Sequence, residues 1–178
     1  MRAVWRDERG FTLAELLVVT AVLGLVMAGV LLIQQQGQQA YVMGSNRVET
    51  QQNARVALEE LTRELRSAIN IVTLGGPADI TFNDQNGVQV RYNLSGTLLN
   101  RTQGGTTQPL IGGVQSLVMT YCQVWNATTN TCTTAAGAPG NTRVIVIDLV
   151  TRTEEAVAAS SLANQRATMR SVVRLRNQ

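Results

Sequence analysis

Few residues in this chain carry reactive chemistry, and their spacing decides what each can do. Glu59, Glu60 and Glu64 lie close enough on one stretch to invite an acid–base assignment. The sequence contains no His and no Lys, so all 15 positive side chains are Arg. That excludes a Ser–His triad, a His-based zinc site and a Schiff-base lysine. With no catalytic motif beside them, the three Glu read as a solvated helix face. The chain reads as a non-enzyme with no cofactor and no metal ligands. Asp84-x-Asn86-Gly87 has the opening spacing of a calcium loop but lacks the downstream ligands of an EF-hand, so it reads as a turn.

Cys122 and Cys132, ten residues apart, suit one disulfide at the tip of a hairpin in an oxidising compartment. Its closure contributes about 2–3 kcal/mol by restricting the unfolded chain. Arg166, Arg170, Arg174 and Arg176 have the chemistry to engage phosphate. No aromatic side chain interleaves with them to stack on bases, so an exposed sheet face or a subunit contact is favoured, and DNA is the weaker partner.

The remaining reactive group is Glu15, which stands alone in an apolar segment. Residues 11–33 hold 18 apolar members out of 23, with Glu15 as the sole charge. As a helix this run spans about 35 Å, enough to cross a bilayer. Arg2, Arg6 and Arg9 precede it and no Arg follows until Arg47, which places residues 1–10 in the cytoplasm and the rest outside. The run is too long for a signal peptide, and the Gln-rich residues 34–39 after it offer no small-residue cleavage site. Two compatible roles fit Glu15. It completes a capping box with Thr12 at headgroup depth, or it pairs with a cation beside a neighbouring subunit.

The residues Arg9-Gly10-Phe11-Thr12-Leu13-Ala14-Glu15-Leu16-Leu17-Val18 resemble the cleavage and methylation site of type IV prepilins and type II secretion pseudopilins. The resemblance implies that prepilin peptidase cuts between Gly10 and Phe11, that the Phe11 amine is N-methylated, and that the mature chain is 11–178. It further implies that Glu15 registers subunits by pairing with the Phe11 amine of an adjacent subunit in a helical bundle. The implied partners are other pilin subunits, prepilin peptidase, the inner-membrane assembly platform and the lipid bilayer. The implied location is the bacterial inner membrane and then a filament. Leu32 stands where many major pilins have Pro, which argues against a main filament subunit of that kind. The segment Gln51–Arg66 resembles the helix of minor pilins of the PilW type and pseudopilins of the J type, and the ending Val173–Asn177 echoes the PilW type.

The elements that must position these residues follow from periodicity. A helix continues through Gly37 and Gly44, each costing about 1 kcal/mol relative to Ala. Ala54, Leu58, Leu61, Leu65 and Ile69 form its apolar face, with Arg55–Glu59 and Glu59–Arg63 pairs outside. Gly75-Gly76-Pro77 ends the helix, and the period then changes to two. Ile80 and Phe82, then Val88, Val90, Tyr92 and Leu94, form a hairpin whose Asn86-Gly87 turn takes positive φ. Further strands fall at 97–101, 115–125, 143–151 and 168–176, with 143–151 central. The expected fold class is α+β and pilin-like, a long N-terminal helix packed on an antiparallel β-sheet. Its parts are a leader over 1–10, a membrane and assembly helix over 11–33, an amphipathic continuation over 34–70 and a sheet domain over 71–178.

Overall fold

A computed structural model describes residues 10–153 and 164–176. All of the expected leader except Gly10 therefore lies outside the described residues. The elements are α1 (Leu13–Ser67), β1 (Asn70–Gly76), β2 (Asp79–Asn83), β3 (Gln89–Ser95), β4 (Leu98–Gln103), β5 (Thr106–Ile111), β6 (Val114–Asn126), β7 (Thr131–Ala135), a 3-10 turn (Pro139–Asn141), β8 (Val144–Arg152) and β9 (Arg166–Arg174). The chain divides into two compact units, Met1–Val42 and Met43–Gln178.

In the first unit the helix begins where its cap permits. The Thr12 hydroxyl oxygen accepts the Glu15 amide at 3.2 Å, and the Thr12 carbonyl accepts the Leu16 amide at 3.2 Å. This satisfies a donor that would otherwise be orphaned at the helix start. Further along, the Thr20 hydroxyl donates back to the Leu16 and Leu17 carbonyls, each at 3.0 Å, so a polar group in an apolar run is satisfied within its own helix. The large apolar side chains of this stretch are exposed, from Phe11 through Ile33. By length and composition α1 is able to cross a membrane.

In the second unit the same helix acquires a buried face of Thr50, Ala54, Ala57, Leu58, Leu61 and Leu65. These recur at intervals of three and four, as one helical face requires. The helix stops at Ser67, before the expected residue 70, and Ile69 lies outside its apolar face at 43% exposure. The Ile69 amide donates to the Asn83 carbonyl at 2.9 Å, which hands the chain directly into β1. The β-branched run Ile71-Val72-Thr73 favours that strand over further helix. Gly75-Gly76-Pro77 therefore serves the β1–β2 turn instead of the helix end, with Gly76 at φ 131°.

Two antiparallel sheets form where one was expected. The first is a five-stranded meander, β1-β2-β3-β4-β5, and the second has the order β7-β6-β8-β9. Ile80, Phe82, Val90, Tyr92 and Leu99 of the first share a core with Leu117, Met119, Ile145, Ile147 and Val173 of the second and with the buried helix face. A backbone bond from the Met119 amide to the Pro77 carbonyl, at 2.6 Å, joins β6 to the β1–β2 turn. The Tyr121 hydroxyl lies between the Gly76 and Asp79 carbonyls, at 3.0 and 3.2 Å, and donates there. As its apolar run predicted, β8 is central, and Val144 to Ile147 are all buried.

The β2–β3 hairpin has the expected alternation, with Ile80 opposite Tyr92 and Phe82 opposite Val90. In its turn Gly87 alone takes positive φ, at 76°, and Asn86 does not. The Asp84 carboxylate accepts the Asn86 and Val88 amides at 2.8 and 2.9 Å, so the acidic residue builds the turn. Cys122 and Cys132 are disulfide-bonded with a Cα–Cα distance of 5.6 Å, tying β6 to β7 below the loop that joins them.

Candidate processing and assembly site

Gly10, Phe11 and Thr12 precede the first helical residue, and all three are exposed. The Gly10–Phe11 peptide bond thus lies in non-helical chain open to an enzyme's cleft, and Phe11 is 75% exposed. Glu15 follows within the first turn of α1 with its carboxylate in the open. Of the capping box, the half in which Thr12 receives the Glu15 amide is formed. A carboxylate at this end of a helix is favoured by the aligned peptide dipoles, while a cation is disfavoured there.

The three candidate carboxylates farther along α1 have separate fates. Glu59 accepts from Arg55 at 2.7 Å, as its spacing predicted. Arg63 pairs with Glu60 and not with Glu59. Glu64 is not on the solvated face that its spacing suggested. It borders the apolar face beside Leu65, and its side chain retains only 16% exposure. Arg101 of β4 meets it with Nε at 3.0 Å and Nη2 at 2.6 Å from Oε1, and the Tyr92 hydroxyl of β3 donates to Oε2 at 2.8 Å. Gln103 accepts from Arg101 at 2.9 Å and donates to Asp84 at 3.3 Å, which continues the network into the β2–β3 turn. This is a polar lock between helix and sheet. Sequence reading missed it because Glu64 and Arg101 are 37 residues apart and neither belongs to a motif.

The lock perturbs its own members. The hydrogen bond that Arg101 donates to Glu64 raises its guanidinium further above its ordinary value, against the opposing effect of burial. Burial first, then the bond to Glu64, pushes the Tyr92 phenol well above the usual range. Burial and the nearby Asp79 do the same to Tyr121. The sign of the consequence is fixed. A phenol raised in the folded chain ionises earlier in the unfolded one, so its stabilisation is complete below the unfolded value near 10 and is lost as pH rises beyond it. A spectrophotometric alkaline titration should show Tyr92 and Tyr121 withholding their phenolate band until the chain unfolds. Three phenols titrating together through the free-tyrosine range would contradict it.

The arginines of β9 share a face as expected. Arg166, Arg170 and Arg174 alternate outward, and Arg170 approaches Asp148 of β8 at 3.5 Å. Val172, on the same side, packs against the small cluster of Cys122, Val144 and Val146, so the face is not purely cationic.

Residues 5–31 match the profile of the prokaryotic N-terminal methylation motif. No curated protein matches the chain. The matched stretch contains Gly10, Phe11 and Glu15, and it supports a type IV pilin-like protein, a pilin or pseudopilin in general. The α+β architecture, a long N-terminal apolar helix with antiparallel sheets, is the pilin-like one. The motif points in general to pilin-type subunits and prepilin peptidase processing, and with the apolar helix it is consistent with inner-membrane anchoring.

Proposed function

We propose that the chain is a minor type IV pilin, a structural subunit that initiates or tips assembly of a pilus serving adhesion, twitching motility or DNA uptake. In this role it assembles and does not catalyse. The observation that carries the proposal is the methylation motif, with an exposed Gly10–Phe11 bond directly ahead of a capped apolar helix. Cleavage there would create a cation on Phe11 at the positive end of α1, where the helix dipole opposes it. Pairing of that cation with Glu15 of an adjacent subunit would relieve both groups and set the axial step. Leu32 and the Gln51–Arg66 segment favour a minor subunit over a main one.

The expected result is a mature protein beginning at N-methyl-Phe11, measured by N-terminal sequencing and mass spectrometry. A chain retaining Met1 in the membrane would refute processing and favour a bitopic anchored binding protein. Glu15→Ala should be cleaved normally yet fail to enter filaments, and normal incorporation of that variant would overturn the registration role. A type II secretion pseudopilin of the J type is the second reading, because it shares the motif. Deleting the gene and scoring piliation, transformation and exoprotein secretion in parallel separates the two, and loss of secretion alone favours the pseudopilin.

A further inference from the structure

The second sheet ends on β9, which has no strand on its far side among the described residues. In an antiparallel ladder, successive residues turn their amide and carbonyl alternately toward and away from the neighbouring strand. The Leu175 amide donates to the Arg143 carbonyl at 3.0 Å, so the odd-numbered residues of β9 face β8. The even-numbered ones, Thr168, Arg170, Val172 and Arg174, therefore aim their backbone groups at the open edge. Among the described residues no backbone hydrogen bond reaches them from that side. Beside this edge run two grooves of about 320 and 400 Å³ between α1 and β9, lined on the helix by Thr62, Arg66 and Glu59, the last already paired to Arg55, and opposite by Met169, Ser171 and Arg176.

An open edge of this length is a template for another strand. Its charge selects which strand. Full antiparallel overlap of β9 with a second copy, centred on Arg170, sets Arg166 opposite Arg174 and Arg170 opposite itself. Like charges directly opposite one another destabilise a strand pair. Arg66, Arg166, Arg174 and Arg176 have no carboxylate within ion-pair distance among the described residues, and Arg170 has Asp148 only at 3.5 Å. The edge therefore repels its own copy and is complementary to a strand with acidic side chains at alternate positions.

We propose that the free edge of β9 binds an extended, acidic segment of a different polypeptide by adding it as a fifth strand to the second sheet. The segment's backbone bonds to Thr168, Arg170, Val172 and Arg174, and its carboxylates meet Arg166, Arg174 and Arg176. This inference rests on the sheet alone and not on the filament reading.

The test uses the full chain in zwitterionic detergent micelles and a fluorescent peptide alternating Thr and Glu, long enough to span β9. Anisotropy should report saturable binding, with none for the Thr–Lys analogue. Val172→Pro removes an edge amide that β8 does not use, a position where Pro is tolerated, and should weaken binding about fivefold. Should that variant misfold by near-UV circular dichroism, a peptide N-methylated at alternate amides removes the equivalent donors from the other side, and the same weakening is expected. Arg174→Glu should lower affinity for the acidic peptide further. Absence of saturable binding overturns the proposal. So does binding indifferent to both Val172→Pro and N-methylation, which would mean charge attraction without a strand. Self-association of the chain that Val172→Pro abolishes would assign the edge to a second copy and overturn it equally.

Discussion

Glu64→Ala is expected to destabilise the Met43–Gln178 unit by about 2–3 kcal/mol, read from urea unfolding of the micelle-held chain by tryptophan fluorescence. The loss comes less from the missing bonds than from what stays behind. Arg101 would keep a guanidinium at 25% exposure with no carboxylate, and the Tyr92 hydroxyl would lose its acceptor in the core. Both partners retain some access to water, which holds the figure below that for a fully buried pair. Glu64→Gln preserves an acceptor for Tyr92 and should cost about half as much. A loss under about 1 kcal/mol for the Ala variant would show that Arg101 swings out to solvent and that the lock contributes little.

The second large effect is expected at Phe82. Its ring is fully buried and stacks on Tyr92 with centroids 6.1 Å apart and planes within 8°. Phe82→Ala removes that ring from a core shared by α1 and both sheets, and about 3–5 kcal/mol of stability should go with it. The same ring braces the phenol that donates to Glu64. Combining Phe82→Ala with Glu64→Ala should therefore destabilise by less than the sum of the two, because each variant already frees Tyr92. Strict additivity in a double-mutant cycle would show that Tyr92 holds its position without Phe82.

What the sequence disclosed follows the range of the interactions. The long helix, the β2–β3 hairpin and the central β8 were legible because their signals are local: apolar runs, a period of two and a turn glycine. Three strands were not. β1 is bulged against β2, which spoils its alternation, and it follows the helix with no breaker between them. β5 contains Pro109, an edge-strand feature that reads in sequence as a loop. β7, Thr131-Cys-Thr-Thr-Ala135, is nearly all exposed and so carries no hydrophobic pattern. The division into two sheets also escaped, since strand order is a matter of non-local pairing. The methylation motif that holds Gly10, Phe11 and Glu15 was legible because it is contiguous. In sequence Glu64 looked like its neighbours Glu59, which is exposed, and Glu60, which pairs within the helix, and only the arrival of β3 and β4 over the helix sets it apart.

Two of the places at which polar bonds hold the helix to the sheets lie well apart along its buried face. At one, the Thr151 hydroxyl of β8 donates to the Thr50 carbonyl at 2.8 Å, with both residues almost wholly buried. At the other, Arg101 and Tyr92 hold Glu64. Residues 50 and 64 are 14 positions apart, which is about 21 Å of helix. One anchor belongs to each sheet. A pull along the helix axis is therefore taken in shear by both sheets at once, and slippage by a single turn would rupture both anchors together. Under the proposed assembly through the N-terminal helix, that makes this half of α1 and the sheets one mechanical element, yielding by abrupt failure and not by gradual creep.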